Sequence, residues 1–215
     1  MDTPWECEMK ATFAALEDRH RLDGRIRRFV DEAVRFHGFP APGVILGAYM
    51  IDLALEKLEA EPGERFFAVA ETKKCLSDSI GILTGCTPGS SKFLLFNTGR
   101  LSLAIGRDDG SGIAKCVRAF VVPGRTEGYP ALRAWYFNDT AFGAKNKLPQ
   151  LLEEILGAGR SILSWERVEV PIPSKDDQWK PVICPGCGEM VPDYLLEDGL
   201  CKACGKGSCY TKHDS

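Results

Sequence analysis

The sequence predicts an α+β protein, with helices packed on a mostly antiparallel sheet and a small metal-ordered module at the C-terminus. Three observations predict it. Helical periodicity dominates the chain up to about residue 60, strand-like runs follow one another from residue 65, and two Cys-x-x-Cys pairs stand near the end. Composition fits an ordinary globular core plus an appendage. The chain has 215 residues, of which 44% are hydrophobic, and carries 27 Lys+Arg against 30 Asp+Glu for a formal net charge of −3. That balance argues against a general nucleic-acid binder. No apolar run reaches the ~18 residues that a spanning helix needs, so no membrane partner is expected. The opening MDTPWECEMK lacks a basic start followed by an apolar stretch. This predicts no signal peptide and a cytoplasmic protein.

Residues 5–23 read as a helix, interrupted by Gly24. Residues 25–37 form an amphipathic helix, with Ile26, Phe29, Val30, Ala33 and Val34 on one stripe and Gly38 as its C-terminal stop. His37 continues that stripe and is predicted to point inward. Pro40 and Pro42 make a rigid turn into a second long helix over 43–60, whose buried face includes Val44, Gly47, Ile51, Ala54 and Leu58. Gly43 and Gly47, four residues apart, allow another backbone to come close. Residues 65–71 (RFFAVAE) read as a strand, and 75–83 as a short helix closed by Gly85. Residues 93–96 and 101–105 look like two strands of a hairpin joined at Asn97-Thr98-Gly99. Asp108 to Gly112 is a turn, 114–122 a strand, 148–156 a helix and 161–170 a final strand. The polar, proline-rich stretch 171–181 marks a boundary. The expected division is a core over 1–172, a linker over 173–180 and a four-cysteine finger over 181–215.

The finger carries the most specific chemistry. Cys184 and Cys187 form one pair, and Cys201 and Cys204 the other, thirteen residues further on. Each pair offers two thiolates from a tight turn, and Gly188 and Gly205 permit the positive φ that such a knuckle often needs. Four thiolates at ~2.3 Å close a tetrahedral zinc site with no open position, which predicts a structural ion. Iron or an iron–sulfur cluster uses the same ligand type. With few apolar residues (Val191, Tyr194, Leu195, Leu196 and Leu200), the segment depends on metal for folding. Without a signal peptide, metal explains these cysteines better than disulfides do. Cys209 and His213 form a further Cys-x3-His pair that either substitutes for a ligand or belongs to a frayed end.

A second constellation lies in the core. Cys75 opens a short helix behind Lys73 and Lys74, Asp78 follows one turn on, and Gly85-Cys86-Thr87-Pro88-Gly89 forms a turn directly after it. A helix N-terminus and neighbouring cations favour thiolate, which makes Cys75 the candidate reactive or ligating cysteine. Each part also has a plain structural explanation: a backbone-bonded histidine, a cysteine packed as a small hydrophobe, a capping aspartate, a simple turn. Cys7 and Cys116 read as structural. Cys75 and Cys86, about eleven residues apart across a helix, fall beyond the ~7 Å Cα limit for a disulfide.

Taken in order, Phe36-His37-Gly38, Pro42-Gly43 with Gly47, Cys75-x-x-Asp78 and Gly85-Cys86-Thr87-x-Gly89 resemble the FmdE family, the E-type component of formylmethanofuran dehydrogenase. The likeness runs from about residue 20 to 204. It implies an α+β core, a homodimer and an appended treble-clef-like zinc finger, in a protein associated with molybdenum- or tungsten-dependent C1 redox metabolism but not itself carrying that metal. The family pattern carries His and Cys where this chain has Phe39 and Ala41, and a lysine where Ser90 and Ser91 precede Lys92. Two readings follow. In the first, the chain is an oxidoreductase component with a redox or C1-enzyme partner, and its core site can hold a second metal. There Cys75 serves as nucleophile or ligand, His37 as ligand or proton carrier and Asp78 as orienting group. Cys86 and Thr87 bind the cofactor, with the glycine turn offering N–H groups to an anion. In the second, the degenerate core is a binding or assembly module and the finger docks a partner.

Overall fold

The computed structural model describes residues 2–143, 147–173 and 179–205. The chain falls into two compact units, Met1–Ile172 and Pro173–Ser215. Residues 174–178 of the expected linker, and Cys209 and His213, lie outside the described residues.

In the first unit, α1 (Pro4–His20) starts with a capping box: the Thr3 hydroxyl accepts from the Glu6 amide, and the Thr3 amide donates back to the Glu6 carboxylate at 2.7 Å. In α2 (Gly24–His37), the Asp23 side chain accepts from the amides of Arg25 and Ile26. The helix ends at Gly38, whose φ of 89° is the left-handed cap expected of a glycine there. The next helix, α3 (Pro42–Lys57), is buried without a break from Gly43 to Ala54. It packs against α2, the sheet and two helices introduced below, α4 and α6, and forms the axis of the core. The glycine expectation is met by α4 (Leu76–Thr84). A Cβ at Gly47 would sit 2.7 Å from Ser79 Oγ, and one at Gly43 would sit 3.4 Å from Cys75 Cβ.

The sheet contains β1 (Phe67–Ala70), β2 (Phe93–Leu95), β3 (Ser102–Asp108), β4 (Ile113–Val121) and β5 (Leu163–Pro171), in the order β2-β1-β3-β4-β5. All neighbours are antiparallel except β1 and β2, which run parallel through the crossover helix α4. The hairpin expected across 93–105 does not form. Here β1 lies between β2 and β3, with Ala68 opposite Phe93 on one edge and Ala70 opposite Leu103 near the other. The Asn97-Thr98-Gly99 segment crosses the end of β1, and the amides of Thr98 and Gly99 both donate to the Glu71 carbonyl at 3.0 Å. Hydrogen-bonding capacity at the end of β1 thus decides what the local turn signal leaves open.

Periodicity predicts no element between 122 and 148, yet α5 (Pro130–Tyr136) forms there, followed by α6 (Leu148–Ala158). The helix-facing side of the sheet and the helices together enclose Ile45, Met50, Ile51, Leu103, Ile105, Leu151 and Leu152, all fully buried.

The second unit is built from two short ribbons. β6 (Pro181–Ile183) pairs with β7 (Met190–Pro192), and β8 (Leu196–Glu197) pairs with β9 (Leu200–Cys201). The second ribbon turns at Asp198-Gly199, both with positive φ, the two-residue turn favoured by strand twist. Among the described residues of this unit, only Cys184 and Cys201 are buried.

Candidate functional site

The four predicted ligands converge. In each knuckle the second cysteine, or the residue after it, turns back onto the first. Gly188 donates to the Cys184 carbonyl at 2.8 Å, and the amides of Cys204 and Gly205 both donate to the Cys201 carbonyl at 2.9 Å. Gly188 has the predicted positive φ of 75°, whereas Gly205 is not in that region, so the two knuckles differ in backbone. Sγ atoms of Cys184, Cys187, Cys201 and Cys204 all lie within 4.8 Å of one another, and Cys187 and Cys201 are 3.9 Å apart. A tetrahedron with ~2.3 Å metal–sulfur bonds has edges of roughly 3.8 Å, so the group has the size of a metal cage.

Electrostatics point the same way. The Cys201 amide, 3.4 Å from the Cys184 sulfur, is the chief cause that draws the Cys184 thiol down to about 6. The Cys204 thiol is pushed up to about 12, first by desolvation and then by the neighbouring sulfurs. Four thiols this close cannot all ionise unless a cation lies between them. Gly186 completes the cage: a Cβ there would stand 2.9 Å from Cys204 Cβ and 3.1 Å from its sulfur. Among the described residues, no other group of three or more His, Cys, Asp or Glu side chains brings its ligand atoms this close.

The core candidates separate into distinct places. His37, at the end of α2, meets Asp78 in the first turn of α4, with Nδ1 2.6 Å from Oδ2 in a part-exposed pair. Cys75 is the N-cap of α4 and lines a cleft of about 680 Å³, on whose wall neither His37 nor Asp78 stands. Its thiol is not activated as the sequence suggests. Burial is the largest influence and pushes it up, the Asp78 charge adds to this, and Lys74 only partly opposes it. Cys86 is 2% exposed and turned into the core, its sulfur 3.2 Å from the Phe66 carbonyl. Thr87 is exposed, and its amide donates to Ser90 Oγ at 3.0 Å, so that N–H is not free for an anion. The expected cofactor pair Cys86 and Thr87 therefore stays outside the cleft.

Phe39 and Ala41 are packing residues: Phe39 stacks on Trp5 with ring centroids 5.3 Å apart, and Ala41 is buried beside Ala33 and Val44. The described cysteines of the core are free thiols.

Four segments distant in sequence form the cleft: the start of α3 at Pro42 and Gly43, the stretch from Thr72 to Leu76, the crossing loop with Asn97 and Arg100, and the end of α5 with Trp135, Tyr136 and Asn138. Arg100 is held by Glu71, which is 5% exposed, through Nε at 2.8 Å. Arg118 grips the same carboxylate from β4. Sequence reasoning singled out only Cys75 and its neighbours from this wall.

Residues 36–171 match the family model described as "FmdE, Molybdenum formylmethanofuran dehydrogenase operon", which covers more than half of the chain. The chain belongs to the FmdE family. A crystal structure of a tungsten formylmethanofuran dehydrogenase FmdE-like protein from Syntrophus aciditrophicus superposes with a TM-score of 0.72 at 30% identity, covering 86% of this chain and 95% of that one. A probable S-adenosyl-L-methionine-binding protein of Archaeoglobus fulgidus is 29% identical over 86% of this chain. The chain spans about half (54%) of that curated relative's length. α1 and most of α2 precede the part matched to the FmdE model, which includes His37 and its partner Asp78.

Proposed function

We propose that this FmdE-family chain is a ligand-binding component of C1 redox metabolism, in which a structural zinc orders the treble-clef-like tail and the core cleft beside Cys75 receives a small molecule. The observation that carries the reading is the pairing of a complete four-sulfur cage in the tail with a cleft in the core that has no comparable ligand set. All four tail positions are thiolates, which supports zinc in a closed, non-catalytic site. In this reading the chain is a cytoplasmic homodimer that works beside a redox or C1-enzyme partner, in keeping with the dehydrogenase named for the family. Division of labour follows the two units, with 1–172 as the ligand-binding core, 173–180 as linker and 181–215 as finger. S-adenosyl-L-methionine, which the Archaeoglobus relative's name gives as its ligand, is the first compound to titrate.

Metal analysis of the purified full chain tests the assignment. One zinc per chain, lost in Cys201→Ser and retained in His37→Ala, is expected. Two metals per chain, one of them lost in His37→Ala, would overturn the metal-free core.

A second reading keeps the chain as an oxidoreductase component whose Cys75 thiol reacts with the bound molecule. It is favoured by one observation, the place of Cys75 on the cleft wall. Its raised thiol requires a base, and the lining offers no carboxylate or imidazole to act as one. Turnover abolished in Cys75→Ser, with ligand affinity kept, would establish it.

A further inference from the structure

The cleft beside Cys75 differs in charge from the other depressions of the core. Its lining carries Lys73, Lys74 and Arg100 but neither Asp nor Glu, in a chain whose acids outnumber its bases. The depression near Tyr49 mixes Arg25 and Arg160 with Asp23, Asp52 and Glu56, and the one along α2 mixes three arginines with Asp31 and Glu32. Those two satisfy their charges internally. Among the described residues, neither Lys73 nor Lys74 has a carboxylate at ion-pair distance. Arg100 is engaged through Nε by Glu71 at 2.8 Å and by Thr98 Oγ1 at 3.1 Å, contacts that aim the guanidinium while leaving its terminal nitrogens to other partners. Trp135 and Tyr136, both half-buried, supply flat apolar surface on the same wall, and burial pushes the Tyr136 phenol up, so it stays neutral.

We propose that the cleft binds a small molecule that combines an acidic group with a flat ring. The acid is held by Lys73, Lys74 and Arg100, and the ring lies against Trp135 and Tyr136. This rests on the reading above that the cleft is the functional site, and it names the chemistry of the occupant. An acid shared among three fixed cations forms charge-assisted hydrogen bonds, and an aromatic wall gains from stacking with little loss of rotamer freedom. The acid can be a phosphate or a carboxylate, since the same cations serve both. The positive ends of α3 and α4 strengthen the field but do not by themselves make the site.

Protection of Cys75 from alkylation reads occupancy directly. The zinc-loaded full chain is treated with iodoacetamide alone and in the presence of AMP, indole-3-acetate, adenosine or inorganic phosphate, and each cysteine is followed by peptide mass spectrometry. The expected result is that AMP, indole-3-acetate or both slow alkylation of Cys75 about tenfold at concentrations where adenosine and phosphate have no effect. Protection by AMP alone assigns the acid as phosphate, and by indole-3-acetate alone as carboxylate. Lys73→Glu combined with Arg100→Glu should abolish protection while the melting temperature stays the same.

Adenosine protecting as well as AMP would overturn the requirement for an acid and leave the cleft reading intact. Protection that survives the charge reversal, or none from any probe at millimolar concentration, would overturn the inference. Cys75 reacting no faster than buried Cys86 would instead overturn the cleft reading itself.

Discussion

The two units of this chain are held together by different physics. The first encloses a core in which Ile45, Met50, Ile51, Leu103 and Leu152 are fully buried, so removal of apolar surface from water drives its folding. Among the described residues of the second, only two cysteines are buried, while Ile183, Met190 and Tyr194 are each more than half exposed. A unit of that kind cannot offset its backbone entropy without an ion. The difference teaches that one chain can carry two independent sources of order, and that each can be removed separately.

The largest effect should come from removing the ion. Structural zinc contributes about 10–16 kcal/mol to small thiolate modules near neutral pH. Chelation, or Cys201→Ser, should erase amide-exchange protection over 181–205 and leave the amides of β3 and β4 protected. Protection that persists in the tail would break the comparison.

Next comes Ile51→Ala. Its side chain is fully buried on α3, and the truncation should cost the core about 2–5 kcal/mol in urea denaturation. Zinc content should not change; zinc lost together with the core would mean that the two units fold as one.

Smaller, and dependent on pH, is the effect of Glu17. This α1 carboxyl is 3% exposed, has an unpartnered Oε1, and is pushed up to about 7 by burial first and by the Asp31 charge second. Asp18 raises it further, and Arg27 opposes. A carboxyl whose folded value is raised keeps its proton in the native state, so stability falls as pH rises from about 4.5 to about 7. The loss is at most about 3 kcal/mol. Glu17→Gln should raise the melting temperature at pH 8 and leave it nearly unchanged at pH 4. Equal shifts at both values would show that packing, rather than ionisation, sets the cost.

The smallest effect is expected at His37. Its contact with Asp78 is part-exposed, and such pairs are worth about 0–1 kcal/mol. His37→Ala should scarcely move the urea midpoint; a large drop would mark the pair as a structural tie between α2 and α4.

What the sequence discloses depends on how local the determinant is. Cys184, Cys187, Cys201 and Cys204 are legible because metal ligation fixes a short spacing within each pair. α2 and α3 are legible through their periodicity, and the close approach of α4 through Gly43 and Gly47. Whether residues 93–105 pair with each other or flank β1 depends on the free edge of a distant strand, which a turn signal cannot report. The orientation of Cys86 is equally hidden: its glycine-rich neighbourhood announces a turn but not that the sulfur faces Phe66. Arg100, Trp135 and Tyr136 reach the cleft from segments far apart in sequence, one of them on a helix of only seven residues, too short for periodicity to reveal.

The contact at Gly186 bears on kinetics as well as on space. With the backbone of one knuckle lying against the last sulfur-bearing residue of the other, an incoming thiol finds no gap through which to attack the ion from that side. Exchange of the metal must wait for the knuckles to part, so the dwell time of the ion follows the opening rate of the tail rather than the strength of any competing chelator.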